Sequence, residues 1–161
     1  MEQVLKNPDY VARFKKYYGS VTFLHAVEAI EEFIISLKAP APFDRFLAGD
    51  EEAISKEAKE GYKTFIGLGC IACHNGSNLG GGLMVHSKPE IGTKIKVKVP
   101  SLRNVMRTAP WMKINSYNLH DSIMYLRTLF IESEVSKEQI DKMIKFFETL
   151  NSDTPRILLK K

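Results

Sequence analysis

Residues 70–74 read Cys70-Ile71-Ala72-Cys73-His74 and contain the only two cysteines of the 161-residue chain. Two thiols separated by two residues and followed at once by a histidine are the pattern for covalent haem attachment. The thiols add to the two vinyl groups of the haem, and the histidine ligates the iron. The motif therefore predicts one covalently bound haem c, anchored by Cys70 and Cys73 and ligated by His74.

Two other uses of a Cys-x-x-Cys pair fit the sequence less well. A structural zinc site needs four ligands, usually with a second Cys or His pair at short spacing. The chain has His86 and His120 but no such pair. A thioredoxin-like redox pair follows a strand, whereas residues 57–65, just before the motif, are typical of a helix. Haem attachment is therefore the favoured interpretation.

The composition is that of an ordinary globular protein with a mildly basic surface. Hydrophobic residues make up 44% of the chain and charged residues 26%, and the formal net charge is +4. The lysines are scattered rather than clustered on one helix, so nucleic-acid binding is not indicated. A basic surface of this kind can steer an acidic redox partner, or it can simply be a solvated surface.

The sequence contains no apolar run long enough for a membrane-spanning helix. Its N-terminus also lacks the basic and apolar regions of a secretory leader. Because haem c is normally attached outside the cytoplasm, we expect a periplasmic or otherwise exported protein whose leader is not present in this sequence.

Capping residues and apolar stripes at helical spacing predict a mostly α-helical fold. Helices are expected after Asn7, Thr22 and Ser136, over residues 50–65, and from Leu119 onward. Residues 39–42, Ala-Pro-Ala-Pro, predict a stiff connector. Residues 67–100 carry glycine-rich loop signals and one strand-like alternation at 95–99.

The expected architecture is a single cytochrome c-like haem domain over residues 1–161. Within it we expect a helical extension at 1–50, a haem core at 51–151 and a peripheral tail at 152–161. The long loop and the short strand-like segment follow the haem motif. The helix predicted over residues 50–65 leads into the haem motif and positions it.

Several sequence motifs surround residues 70–74 in a fixed order. They occupy residues 43–50, 69–76, 78–81, 99–105 and 108–110. Together they resemble the C-terminal half of the bacterial dihaem cytochrome c peroxidases, a group that also contains the MauG-like proteins. The resemblance covers roughly the whole chain up to Asn151.

In that family an N-terminal haem reacts with peroxide, and a C-terminal haem with His and Met ligands accepts electrons from a donor. The resemblance implies that this chain is the electron-accepting domain. Its implied partners are a small redox protein or another electron donor, and a second haem domain. The competing class is an enzyme that itself reduces peroxide at an open iron site. A haem-binding structural or sensor domain is the third class.

The identity of the sixth iron ligand stays open. An ungapped count back from Ser136 places Leu126 in the slot of the family's axial methionine, and leucine cannot ligate iron. Met124, on the same predicted helix, is the first candidate, and Met112, in the preceding loop, is the second. The further candidates, besides an open site, are His120, Lys113 and Tyr125.

The resemblance also implies roles for residues beside the haem. Arg103 is expected to pair with a haem propionate, because a guanidinium matches a carboxylate in a fork. Trp111 is expected either to pack on the haem edge or to be an ordinary core aromatic. Thr108 and Pro110 match positions whose carbonyls help to hold calcium between the two family domains, but no calcium is expected without the other domain's ligands.

Overall fold

The computed structural model describes residues 5–37, 39–87, 95–111, 118–130 and 134–159. Its helices are α1 (Pro8–Tyr18), α2 (Phe23–Ser36), α3 (Pro42–Leu47), α4 (Lys56–Gly67), α5 (Leu119–Phe130) and α6 (Lys137–Glu148). Strands β1 (Met84–Ser87) and β2 (Ile95–Lys98) form an antiparallel hairpin. The mostly α-helical prediction is confirmed.

The described chain divides into two compact units. The first contains α1, α2 and a short 3₁₀ turn at Arg156–Leu158, and the second spans Pro40–Asp153. None of the helices in the described residues is long and apolar enough to cross a bilayer.

The helices of the first unit begin where their capping residues predict. The Asn7 side chain accepts hydrogen bonds from Asp9 and Tyr10, and Pro8 occupies the first helical turn of α1. The Thr22 hydroxyl accepts from His25 at the start of α2. These caps satisfy backbone N–H groups that have no partner within the helix.

The core of the second unit forms where α4 packs against α6. Its most deeply buried large side chains are Phe43, Phe65, Ile140, Phe146 and Leu150. The Phe146 ring lies 5.0 Å from that of Phe43 and 5.4 Å from that of Phe65, in tilted or edge-on arrangements. A cluster of interlocked rings therefore supports the end of α4 that leads into the haem motif.

The two helices can approach closely because Gly61 has no side chain. A Cβ built at this position would overlap the backbone carbonyl of Lys142 in α6. Lys142 also joins the helices through its ammonium group, which lies 2.9 Å from the carboxylate of Glu60. Backbone contact and a surface ion pair therefore fix α4 against α6.

Two boundaries differ from the sequence predictions. The helix expected from Asp50 begins only at Lys56, because the Ser55 hydroxyl accepts from the Ala58 N–H and caps it there. Residues Glu51–Ala53 form a separate 3₁₀ turn. The connector expected at 39–42 ends in a helix, since Pro42 is the first residue of α3 and starts its first turn.

The other predicted elements of the second unit are present. α5 begins at Leu119, and Ser136 and Gln139 form the reciprocal capping box of α6. The strand-like run at 95–99 is β2, and its partner β1 was not predicted.

Candidate haem-binding site

The haem motif lies on a tight turn directly after α4. Cys70–Ala72 form one 3₁₀ turn, preceded by Gly69 with a φ of 76°. The N–H groups of Cys73 and His74 both donate to the carbonyl of Cys70, at 3.2 and 2.9 Å. This bonding gathers the two thiols and the imidazole into one compact turn.

Both cysteines are free and half-buried. Burial raises the pKa of the Cys70 thiol, because the apolar surroundings disfavour the thiolate. The Cys70 side chain packs against the hydrophobic core. The pair is therefore held near apolar surface, which is the environment that a porphyrin ring requires.

The imidazole of His74 is fixed through Nδ1. This atom lies 3.2 Å from the carbonyl oxygen of Leu79, and the backbone carbonyl of Pro100 also interacts with the ring. A carbonyl can only accept, so Nδ1 carries the proton and Nε2 keeps its lone pair. Burial lowers the pKa of His74, although the carbonyl bonds oppose it, and the neutral ring is favoured at pH 7. A neutral histidine with Nδ1–H bonded to a carbonyl is the form that ligates metals.

Gly80 allows the carbonyl of Pro100 to reach the imidazole. Its φ is 125°, and a Cβ built there would overlap the Pro100 carbonyl and lie 3.2 Å from His74 Nδ1. The turn that carries Gly80 is closed by its own N–H, which donates to Asn75 at 3.0 Å. The glycine that sequence analysis read only as a loop signal is therefore part of the cradle of His74.

Arg103 ties the loop after the motif to helix α3. Its Nη1 and Nη2 lie 2.9 and 2.6 Å from the two carboxylate oxygens of Asp44. Its Nε and Nη2 donate to the carbonyl of Ser77 at 2.9 and 2.7 Å. Asp44 also accepts from the N–H of Ala41 at 2.7 Å. Most of the N–H donors of the Arg103 guanidinium are therefore hydrogen-bonded to other residues of this chain. Its contact with a haem propionate stays a prediction.

The surroundings of Asp44 lower the pKa of its carboxyl group. Burial alone would raise the pKa of Asp44, but the hydrogen bonds from Arg103 and Ala41 and the positive charge of Arg103 outweigh it, so the pKa lies below its ordinary value. Asp44 and Arg103 are 59 positions apart in the chain. No local sequence pattern predicts that they pair.

The chain is similar in sequence to one protein family and to several curated proteins. The sequence profile of a family described as di-haem cytochrome c peroxidase matches residues 1–52. The cytochrome c551 peroxidase of Nitrosomonas europaea is 31% identical, over 94% of this chain and 52% of its own length. That of Pseudomonas aeruginosa is 30% identical, over 98% and 54%. The methylamine utilization protein MauG of Methylorubrum extorquens is 28% identical, over 99% and 54%.

The chain belongs to the di-haem cytochrome c peroxidase and MauG family. It spans about half the length of these curated relatives, roughly their C-terminal half. For a member of this haem-binding family, the geometry around residues 70–74 fits haem c. Two free thiols precede an imidazole whose Nδ1 is anchored and whose Nε2 has a lone pair to offer. In the part of the chain that the structure describes, no group of three or more His, Cys, Asp or Glu side chains could hold another metal ion.

Trp111 lies at the edge of the hydrophobic core of the second unit. Its side chain is half-buried against the hydrophobic cluster, and its Nε1–H donates to the carbonyl of Val105 at 2.8 Å. The hydrogen bond fixes the ring orientation. Its predicted contact with the haem edge stays a prediction.

Helix α5 carries most of the candidates for the sixth ligand. Met124 packs against the hydrophobic core, and Leu126, in the family's ligand slot, is half-buried. His120 has a buried Nε2 without a hydrogen-bond partner among the described residues. Tyr125 is half-buried. Met112 and Lys113 lie outside the described residues.

Proposed function

We propose that this chain binds one haem c through Cys70 and Cys73, ligates its iron with His74, and transfers single electrons as the electron-entry domain of a cytochrome c peroxidase-like system. The environment of His74 supports this role most directly, because the carbonyl of Leu79 holds Nδ1 and leaves the lone pair of Nε2 for a metal. The similarity to peroxidases with two haems supports the same conclusion.

The residues of this chain have distinct tasks in such a site. Each thiol of the Cys70–Cys73 pair adds its S–H across one vinyl double bond, which consumes no oxidant. The carbonyl of Leu79 sets the rotation of the His74 ring and increases its basicity as a ligand. When bound, haem c supplies one-electron iron chemistry at a potential tuned by its ligands and surroundings.

Covalent haem attachment determines where we expect the protein and its partners. We place the protein in the periplasm or another exported location, where haem c is attached. Its partners in this role are a small redox protein or another electron donor, and a second haem domain that reacts with peroxide.

A second candidate function is peroxide reduction at this iron itself. The presence of Leu126 in the slot of the family's methionine favours it, because a leucine leaves the sixth position to another residue or to a substrate. Haem attachment by residues 70–74 is common to both functions.

Attachment is tested on protein exported from a bacterium that has a haem-attachment system. The mass after acid–acetone extraction should exceed that of the polypeptide by one haem, and thiol titration should find no free cysteine. His74→Ala should change the spectrum of the bound haem, whereas the exposed His86→Ala should not. A bare polypeptide mass would reject the proposal.

The sixth ligand decides between the two functions. If Met124 is the ligand, Met124→Ala converts a low-spin spectrum to high-spin and lowers the reduction potential, while Met112→Ala and the core variant Met143→Leu leave both unchanged. If both ligand-candidate substitutions leave the iron low-spin, the next residues to substitute are His120, Lys113 and Tyr125.

The rate of peroxide turnover also distinguishes the two functions. For the electron-entry role we expect fast electron exchange with a reduced small cytochrome and little peroxidase turnover by this chain alone. A high-spin protein that binds cyanide readily and turns over peroxide as fast as an enzyme with two haems would establish the second function instead.

A further inference from the structure

We propose that the exposed basic face of the β1–β2 hairpin is the docking surface for an acidic redox protein that exchanges electrons with the haem at His74. This role requires the haem site proposed above. It adds the place of contact and the charge of the partner.

The strand register defines this face. Met84 pairs with Lys98, and His86 pairs with Lys96. Because side chains two residues apart point to the same side of a strand, these four side chains share one face of the hairpin. All four are exposed. The hairpin therefore has a polar, basic face with a methionine at one end, which we call the hairpin face.

Lys96 and Lys98 form no ion pair with other residues that the structure describes. Three lysines elsewhere in the same unit do have carboxylate partners: Lys59 with Glu51, Lys142 with Glu60 and Glu138, and Lys145 with Glu148. The two exposed lysines therefore give the hairpin face a positive charge, which attracts an acidic partner.

The hairpin face is close in sequence to the residues that surround His74. Lys98 precedes Pro100 by two residues, and a Cβ built at Gly80 would lie close to both the carbonyl of Pro100 and Nδ1 of His74. Val99, between them, is buried, and its carbonyl accepts from Gly81 at 2.7 Å. A protein seated on this face would therefore contact the segment that holds the iron ligand.

The surface next to Lys98 has the shape and composition of a contact site. A cleft of about 750 Å³ lies between residues 75–82 and 98–101. Asparagine, serine and glycine residues of the loop line it, with Lys98 at its edge. Met84 is 45% exposed and offers an apolar point of contact. The positive charge of Lys96 and Lys98 favours a partner with surface carboxylates.

The test compares two double charge reversals in the haem-loaded protein. Lys96→Glu/Lys98→Glu alters the hairpin face. Lys63→Glu/Lys137→Glu changes the net charge by the same amount at exposed lysines of α4 and the start of α6. The probes are reduced mitochondrial cytochrome c with succinylated lysines, which is acidic, and the unmodified basic cytochrome. Photogenerated neutral lumiflavin semiquinone measures haem reduction without docking.

At low ionic strength, the hairpin variant should lose about tenfold or more of the second-order rate with the acidic cytochrome, and the control variant about threefold or less. Salt should slow the unmodified protein but barely affect the hairpin variant. The hairpin variant should also react faster than the unmodified protein with the basic cytochrome. Equal losses in the two double variants, or no loss in the hairpin variant, would overturn the docking site.

The lumiflavin rate separates this inference from the proposed function. If lumiflavin reduces the haem equally in all three proteins, any loss with the acidic cytochrome belongs to docking. If it fails to reduce the unmodified protein, the proposed electron-transfer function is at fault instead. Lys96→Gln/Lys98→Gln, which removes charge without reversing it, should give a smaller loss in the same direction and replaces the reversal if that variant folds poorly.

Discussion

The α4–α6 helix pair and the haem-motif loop, residues 69–82, belong to one compact unit but are held by different forces. The helix pair is fixed by burial of Phe65, Ile140 and Phe146 and by close backbone contact at Gly61. The loop buries few side chains and is held by backbone hydrogen bonds, by glycines with positive φ and by Arg103. The helices thus supply stability, while the polar loop sets the orientation of His74, the proposed iron ligand. Each can be altered without the other.

The largest effect is expected from Gly61→Ala in the helix pair. The added Cβ overlaps the backbone of Lys142, which cannot move away as a flexible side chain would. Overpacking of this kind should lower the free energy of unfolding by about 3 kcal/mol, measured by urea denaturation followed by circular dichroism. Gly67→Ala is the matched control, because nothing lies within 4 Å of its added Cβ. Equal losses in the two variants would show that the close approach does not limit stability.

The loop is tested by Gly80→Ala, for which a loss of about 2 kcal/mol is expected from backbone strain and overlap with Pro100. The helical signal should remain, but the yield of haem-loaded protein should fall and its spectrum should change, because His74 loses a carbonyl partner. Gly82→Ala is the control, since its added Cβ meets open space and its φ is not positive. A normal spectrum for Gly80→Ala would mean that the cradle does not orient the iron ligand.

The amino-acid sequence predicts the structure best where the signal is local. The caps Asn7, Thr22 and Ser136 each begin a helix as predicted, because a side-chain acceptor and the N–H groups it serves lie within three residues. The same local chemistry placed one boundary wrongly. The helix expected from Asp50 begins at Lys56, since Ser55 is a competing cap and Asp50 instead caps the 3₁₀ turn before it.

The contacts that build the site are long-range, so the sequence alone could not reveal them. Strand β1 has little alternation of its own and is defined by pairing with β2. The Gly80–Pro100 approach joins residues twenty positions apart, and Asp44 meets Arg103 across an even longer separation. Residues 70–74 indicate a haem ligand in sequence, which stays a prediction, but they do not reveal the backbone that holds His74.

An intermediate effect is expected at the Asp44–Arg103 pair, which joins the loop to α3. Arg103→Lys loses the two-pronged contact and should cost about 1–2 kcal/mol in unfolding free energy. Arg45→Lys is the control. Arg45 is mostly exposed, and its ion pair with Asp50 is long, at 3.8 Å, so it should contribute little to stability.

A double-mutant cycle with Asp44→Asn distinguishes the two roles of Arg103. If Arg103 acts as a clamp, the double variant is little worse than either single variant, and the haem reduction potential shifts equally in both. If Arg103 binds a haem propionate, Arg103→Lys shifts the potential and Asp44→Asn leaves it in place.

The smallest effect is the acid sensitivity of the same pair. Burial disfavours the Asp44 carboxylate, but Arg103 and the Ala41 N–H stabilise it more, so its pKa is lower in the folded than in the unfolded chain. A carboxyl group of this kind contributes stability above its unfolded pKa, near pH 4, and loses that contribution as the pH falls through the lower folded value. The unfolding free energies of the unmodified protein and of Asp44→Asn should therefore differ by a constant amount at neutral pH and converge below about pH 4. A difference that persists undiminished in acid would mean that the negative charge of the Asp44 carboxylate is not what holds the loop to α3.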